Sequence, residues 1–166
     1  MDRLDRHILE QLQRDSSLSN AELAAAIGLS ASQVSRRRAR LETTGLIRGY
    51  GARLDARALG FSMDVFIRVT LTAHSADTAT EFSHFLRSLP ELRSAHALTG
   101  TADYLLHAKV RDLDALSALV NRHLLPHRNV HEVRSDIALQ TIIEEAPLPL
   151  HQLQSVDLHS RIEHTS

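Results

Sequence analysis

Residues 19–41 constrain the chain most: Ser-Asn-Ala-Glu-Leu-Ala-Ala-Ala-Ile-Gly-Leu-Ser-Ala-Ser-Gln-Val-Ser-Arg-Arg-Arg-Ala-Arg-Leu. Ser19 and Glu22, three residues apart, can each accept the other's backbone N–H as a capping box, which predicts a helix from Asn20. Leu23 and Ile27 at i, i+4 give that helix an apolar edge, and Gly28 stands where a left-handed residue closes a helix without steric cost. Ser30 and Gln33 repeat the capping box two residues later. Helix, glycine turn, helix is the helix-turn-helix pattern.

Read at about 100° per residue, the second helix turns Val34, Arg38 and Leu41 to one side. Ser32, Arg36, Ala39 and Arg40 fall on the other, with Gln33 and Ser35 on its flanks. The first side is expected to face a core. The second offers hydroxyls, an amide and guanidinium groups, and Gln and Arg pair bidentately with adenine and guanine edges in the major groove. The candidate DNA contacts are therefore Ser30, Ser32, Gln33, Ser35, Arg36, Arg37 and Arg40, with Arg48 farther on against phosphate. Arg38 breaks the pattern by putting a charge on the core side. It is expected to snorkel along Leu41 or to pair with Glu42 or Glu22.

Charge is distributed in keeping with a polyanion partner for the front of the chain. Residues 1–60 carry ten arginines against seven acids, and residues 61–166 carry nine basic against thirteen acidic side chains, within a total of −1. The surplus is modest, so one copy should bind DNA weakly and an oligomer is expected. The sequence has no cysteine, which excludes disulfides, thiolate metal sites and a cysteine nucleophile. It has no apolar run of the ~20 residues that cross a bilayer and no signal-peptide core at its start, so a cytoplasmic protein without a membrane partner is expected.

Upstream, Leu4, Ile8, Leu9 and Leu12 predict an amphipathic first helix with Asp2 and Asp5 at its positive end. Residues 1–46 thus read as a three-helix, winged helix-turn-helix head. Residues 47–60 read as a linker strand followed by a joint at 55–60. From Met63 the period changes to two, with Val65, Ile67, Val69 and Leu71 alternating with polar residues and Phe66. A helix capped by Ser75 and stopped by Pro90 follows, then strands over 92–98 and 104–110 around a loop. A helix capped by Asp112 and ended by Pro126 comes next, then a strand over 130–143. This β-α-β-β-α-β order over 61–146 is the ferredoxin-like unit, so the fold class is α+β. The sheet's second face, with Phe66 and Ile142, is expected to be covered by self-association. The tail, 147–166, has scattered apolar residues (Leu150, Leu153, Val156, Leu158, Ile162) and is expected to dock as a short helix or fray.

Over residues 2–145 the chain resembles the leucine-responsive/asparagine-responsive (Lrp/AsnC) family of transcription regulators. The resemblance rests on Leu4-Asp5-Arg6 with Ile8-Leu9, Leu23-Ala24, Gly28-Leu29-Ser30, Arg40-Leu41-Glu42, Gly45-Leu46-Ile47 and Gly49-Tyr50. Above all it rests on Gly100-Thr101-Ala102-Asp103-Tyr104-Leu105-Leu106. It implies a DNA-binding head and a second domain that forms dimers, and from them tetramers or octamers, and senses a small effector, commonly an amino acid. It places the effector at Leu98, Thr99, Gly100, Thr101, Ala102, Asp103 and Tyr104, with Ser135 and Thr141 as weaker additions. Physically, the Gly100 N–H can meet a carboxylate and Asp103 an ammonium group. Alternatively, Gly100 serves the turn and Asp103 caps backbone N–H groups. The chain departs from the family at Ala31-Ser32-Gln33, where Pro-Thr-Pro is common, and at Arg38, where Val or Ile is usual.

Of the eleven histidines, His123, His127 and His131 step by four across Pro126, and His96 and His107 lie on neighbouring strands. None has zinc-site spacing, and no metal or cofactor is expected. Sirohaem decarboxylases resemble the same two-domain architecture, and a DNA-compacting protein blind to metabolites is a third class. The arginine-rich helix and the Gly-x-x-Asp-Tyr loop favour the regulator.

Overall fold

The computed structural model describes residues 1–152. The chain divides into two compact units, Met1–Arg53 together with the segment from Ile143 onward, and Leu54–Ile142. Among the described residues no helix is long and apolar enough to cross a membrane.

The first unit holds α1 (Arg3–Arg14), α2 (Asn20–Ile27) and α3 (Ala31–Thr43), all started by reciprocal capping boxes. The pairs are Asp2 with Asp5, Ser19 with Glu22, and Ser30 with Gln33. Gly28 closes α2 in the left-handed region at φ +73°, as the sequence requires. Short helices are marginal alone, so these persist by burying one shared stripe: Ile8, Leu12, Leu23, Ala24, Val34 and Leu41. Leu46 and Ile47 pack against the same cluster.

One expectation is corrected here. No strand forms over 47–54: the head offers no neighbouring strand to pair with, and the backbone leaves α3 through Gly45 at φ +70°. The return segment docks on the head. Leu150–Gln152 forms a 3-10 turn, Leu150 is buried, and the Gln13 side chain on α1 bonds both polar groups of the Leu148 backbone. The expected docking of the tail therefore occurs at Leu150, while Leu153, Val156, Leu158 and Ile162 lie outside the described residues.

The second unit holds β1 (Met63–Leu71), α4 (Ala76–Arg87), β2 (Leu92–Ala97), β3 (Tyr104–Val110), α5 (Leu113–Ala118) running on into a π-helical stretch (Leu119–Leu124), and β4 (Val130–Ile137). The antiparallel sheet has the order β2-β3-β1-β4, the ferredoxin-like arrangement. One face of the sheet buries Val65, Ile67, Val69, Leu106 and Ala108 with Phe82, Leu86, Leu116 and Leu124. Residues 55–60 form a turn in which Asp55 accepts the Ala58 N–H.

The last strand ends earlier than expected, at Ile137 instead of residue 143. β4 is an edge strand whose only neighbour among the described residues is β1, and the Ala138 N–H reaches the Asp64 carbonyl where β1 runs out. Beyond that there is no backbone to pair with. Leu139 and Ile142 are consequently 97% and 79% exposed, and Ile142 is not on the sheet face assigned to it.

The other sheet face is polar and ionic. Phe66 stacks on His107 with ring centroids 4.9 Å apart, and Asp64 binds His107 Nε2 at 2.8 Å and Lys109 Nζ at 3.1 Å. Burial alone would raise the Asp64 pKa, but these two partners outweigh it and hold the carboxyl below its ordinary value. The unfolded state therefore binds more protons. The stabilisation is complete above the unfolded pKa of about 3.9 and disappears as the pH falls through the folded value. Denaturant unfolding from pH 7 to 3 should show Asp64→Asn less stable at pH 7 and losing less on acidification than the parent.

Candidate DNA-contacting face and effector loop

The cap at Ser30 starts α3, and the structure divides its arginines by partner. Asp5 on α1 is wholly buried, at i, i+3, i+7 with Ile8 and Leu12 on the core stripe. Its Oδ1 accepts from Arg37 Nη1 at 2.8 Å and its Oδ2 from Arg40 Nη2 at 2.6 Å. Arg37 also reaches Asp2 Oδ2 at 2.6 Å. Asp2 and then Asp5 hold the Arg37 guanidinium above its ordinary pKa. The Asp2 carboxyl, which burial alone would raise, is held low by the Asp5 N–H and by Arg37.

Arg37, 19% exposed, is thus drawn back from the outer face, while Arg40 remains 52% exposed beside its partner. Arg36 is exposed, and among the described residues it has no hydrogen-bond or ion-pair partner. Ser30, Ser32, Gln33, Ser35 and Arg48 are exposed too. Three of these are partly occupied: the Ser30 N–H donates to Gln33 Oε1 at 3.0 Å, and the Ser30 and Ser32 hydroxyls meet at 3.0 Å. The Gln33 amide NH₂ stays available. Val34 and Leu41 are fully buried, as their spacing predicts.

Asp5 was missed as a functional residue because a carboxylate near a helix start reads as a dipole and cap partner. The signal was its position on the Ile8–Leu12 stripe. A buried carboxylate there requires cations, and α3 carries four.

In the second unit, the loop between β2 and β3 presents Leu98, Thr99, Gly100 and Thr101 to solvent. Ala102 is buried and Tyr104 is half-buried, with its ring against Phe82. The Asp103 carboxylate turns inward: Oδ2 accepts the Leu71 N–H at 2.7 Å and Oδ1 lies 3.2 Å from His74 Nδ1. Capping, one of the two readings for Asp103, is what this geometry contains. Gly100 has no left-handed φ, and a Cβ built on it meets no heavy atom within 4 Å. Nothing in the chain's own turn demands glycine there.

Ser135 and Thr141 do not join this loop within one chain. Ser135 pairs opposite Ile67 on the exposed edge strand. Thr141 follows Ala138, at the Asp64 end of β1, whereas Asp103 bonds Val69 at the other end. Those ends are separated by about 17 Å of strand. His107 is opposite Ser94 and His96 opposite Leu105, and His107 engages Asp64 instead of the other histidine. His127 packs on the Phe82 and Phe85 rings. Among the described residues no three metal-ligating side chains cluster.

A helix-turn-helix head with an outward arginine, joined to a ferredoxin-like domain with an exposed glycine loop, is matched by two family models. Residues 1–42 match the AsnC-type helix-turn-helix domain and residues 64–148 the Lrp/AsnC ligand binding domain. The chain belongs to the Lrp/AsnC family of transcription regulators. It is 35% identical over 142 residues to the leucine-responsive regulatory protein of Escherichia coli (strain K12), covering 86% of this chain and 87% of that protein. A transcriptional regulator of Neisseria meningitidis, solved as its L-Met complex, superposes with a TM-score of 0.87 at 37% identity, over 92% of this chain and 99% of that one. A feast or famine regulatory protein of M. tuberculosis complexed with L-methionine gives 0.76 at 31% identity, over 87% and 95%. This Lrp/AsnC chain thus has the family's DNA-binding and ligand-binding modules in the family's order.

Replacing Asp5 by Asn keeps the shape but removes the charge that two guanidinium groups share. The head should lose about 1.5–3 kcal/mol, the range for hydrogen bonds to charged groups, measured by denaturant unfolding of the head's signal. A loss under about 0.5 kcal/mol would mean that Arg37 and Arg40 rehydrate at no cost.

Proposed function

We propose that the chain regulates transcription in the cytoplasm as a homo-oligomer that binds double-stranded DNA sequence-specifically and responds to an amino acid. One observation carries the DNA reading: on the outer face of a capped recognition helix, Arg36 is exposed and has no partner among the described residues. Around it, Ser30, Ser32, Ser35 and the Gln33 amide supply shorter-range contacts, Arg40 and Arg48 hold phosphate, and Arg37 mainly anchors the helix. Two heads related by twofold symmetry would set their recognition helices in successive major grooves, about 34 Å apart.

Self-association is supported by surfaces that one copy leaves open. Phe66 is 39% exposed on the polar sheet face, and Leu139 and Ile142 stand almost free beyond β4. The effector reading is supported by the unexplained glycine at position 100, where backbone can approach a ligand carboxylate closely. The outer oxygen of Asp103, shared with His74, would take the ammonium group. L-Met complexes of two family members make L-methionine the first probe. By linkage, any effector that shifts DNA affinity has its own affinity shifted by DNA through the same factor.

Arg36→Ala should weaken binding to a footprinted operator by about 1–3 kcal/mol if the guanidinium reads a base. If it holds phosphate, all duplexes should weaken alike and the salt slope should fall by about 1. No change in either quantity would remove Arg36 from the interface. For the effector, calorimetry over the amino acids, beginning with L-methionine, should find heat of binding. Gly100→Val should keep the thermal midpoint, because its side chain has open space, and should weaken that binding at least tenfold. Unaltered binding would move the site away from the loop, and no heat with any amino acid would favour a metabolite-blind DNA-architectural protein.

A further inference from the structure

The guanidinium on the wrong side of α3 is the feature the function leaves unused. Arg38 occupies a core-facing position between Val34 and Leu41, and its side chain is 20% exposed. Its Nη1 donates to the Leu18 carbonyl at 3.3 Å and lies 3.5 Å from Asn20 Oδ1, tying α3 to the start of α2. Its Nε donates to the Tyr50 hydroxyl at 2.8 Å and sits 3.4 Å from Glu42 Oε1. Cζ lies 4.5 Å from the centre of the Tyr50 ring, within cation–π range. The Tyr50 hydroxyl in turn donates to Glu42 Oε1 at 2.7 Å, which closes a three-membered ring of side chains.

Tyr50 lies beyond the end of α3, after two glycines with positive φ, Gly45 and Gly49. A chain of that composition would ordinarily swing. Here both its ring and its hydroxyl are held on the head. Past Tyr50, no hydrogen bond holds Gly51, Ala52, Arg53 or Leu54 among the described residues. Order resumes at Asp55, whose side chain caps the next turn.

We infer that Arg38 is a positioning residue that fastens the connector to the recognition helix as far as Tyr50, so that on the entry side of the second domain the loose chain is confined to residues 51–54. Glu42 orients the Tyr50 hydroxyl, and Arg38 supplies the charge that holds the ring. An aliphatic residue at position 38 would lack these bonds and leave the connector loose.

Limited trypsin digestion of the full chain, followed by mass spectrometry, tests this without operator or effector, so it stands apart from the functional reading. Arg53 lies in the loose stretch and Arg48 inside the fastened segment. In the parent, cleavage after Arg53 should outpace cleavage after Arg48 at least tenfold. In Arg38→Val, which restores an aliphatic residue to the core stripe, the two rates should come within threefold while the thermal midpoint is kept. Tyr50→Phe, which leaves the head core untouched, should raise Arg48 cleavage several-fold and decides the matter if Arg38→Val does not fold. The salt slope for a DNA duplex should be unchanged in both variants. Equal cleavage in the parent, or unaltered Arg48 protection in the variants, overturns the inference. So does a salt slope that falls by about 1 in Arg38→Val, since that would make Arg38 a DNA contact.

Discussion

The head depends on one buried carboxylate. Asp5 sits with no solvent exposure against the underside of α3 and takes a guanidinium on each oxygen. A charge in that position is tolerable only if paired, and once paired it is directional in a way apolar packing is not. Ile8, Leu12, Val34 and Leu41 would bring α1 and α3 together over a range of rotations. The two bonds from Asp5 select among them, and with that rotation they select which arginine is left outside.

The four arginines of α3 are therefore unlike in role despite adjacent positions. Arg37 and Arg40 answer to α1, Arg38 to the connector, and Arg36 to nothing among the described residues. Net charge alone would count all four as polyanion contacts. Partner geometry separates the anchoring arginines from Arg36, which is exposed and has no partner among the described residues, and leaves Arg40 half exposed.

Local signals in the sequence carried much of this architecture. Capping boxes act within four residues, so the starts of α2 and α3 were legible, and Gly28 was legible because a left-handed turn has few alternatives. Period-two patterning exposed β1, and its order with two capped helices implied the β2-β3-β1-β4 sheet. What failed to show depends on distant chain. The end of β4 is set by where β1 stops, not by the apolar residues that follow Ile137. Residues 47–54 alternate as a strand would but find no partner strand. The Asp103 carboxylate was readable both as cap and as clamp, and the N–H it caps belongs to Leu71, 32 residues away in the sequence. Glu42 was foreseen as a partner for Arg38, whereas Tyr50 was not, because their meeting needs the chain to double back.

The Gln13–Leu148 pairing and the burial of Leu150 give the ligand-binding domain an unusual standing in the polypeptide. With chain from both sides of it built into the head, the domain is topologically an insert, leashed at entry and exit. Severing either leash alone would leave the two bodies on one covalent thread. Two crossings of the chain, not one, therefore join the units.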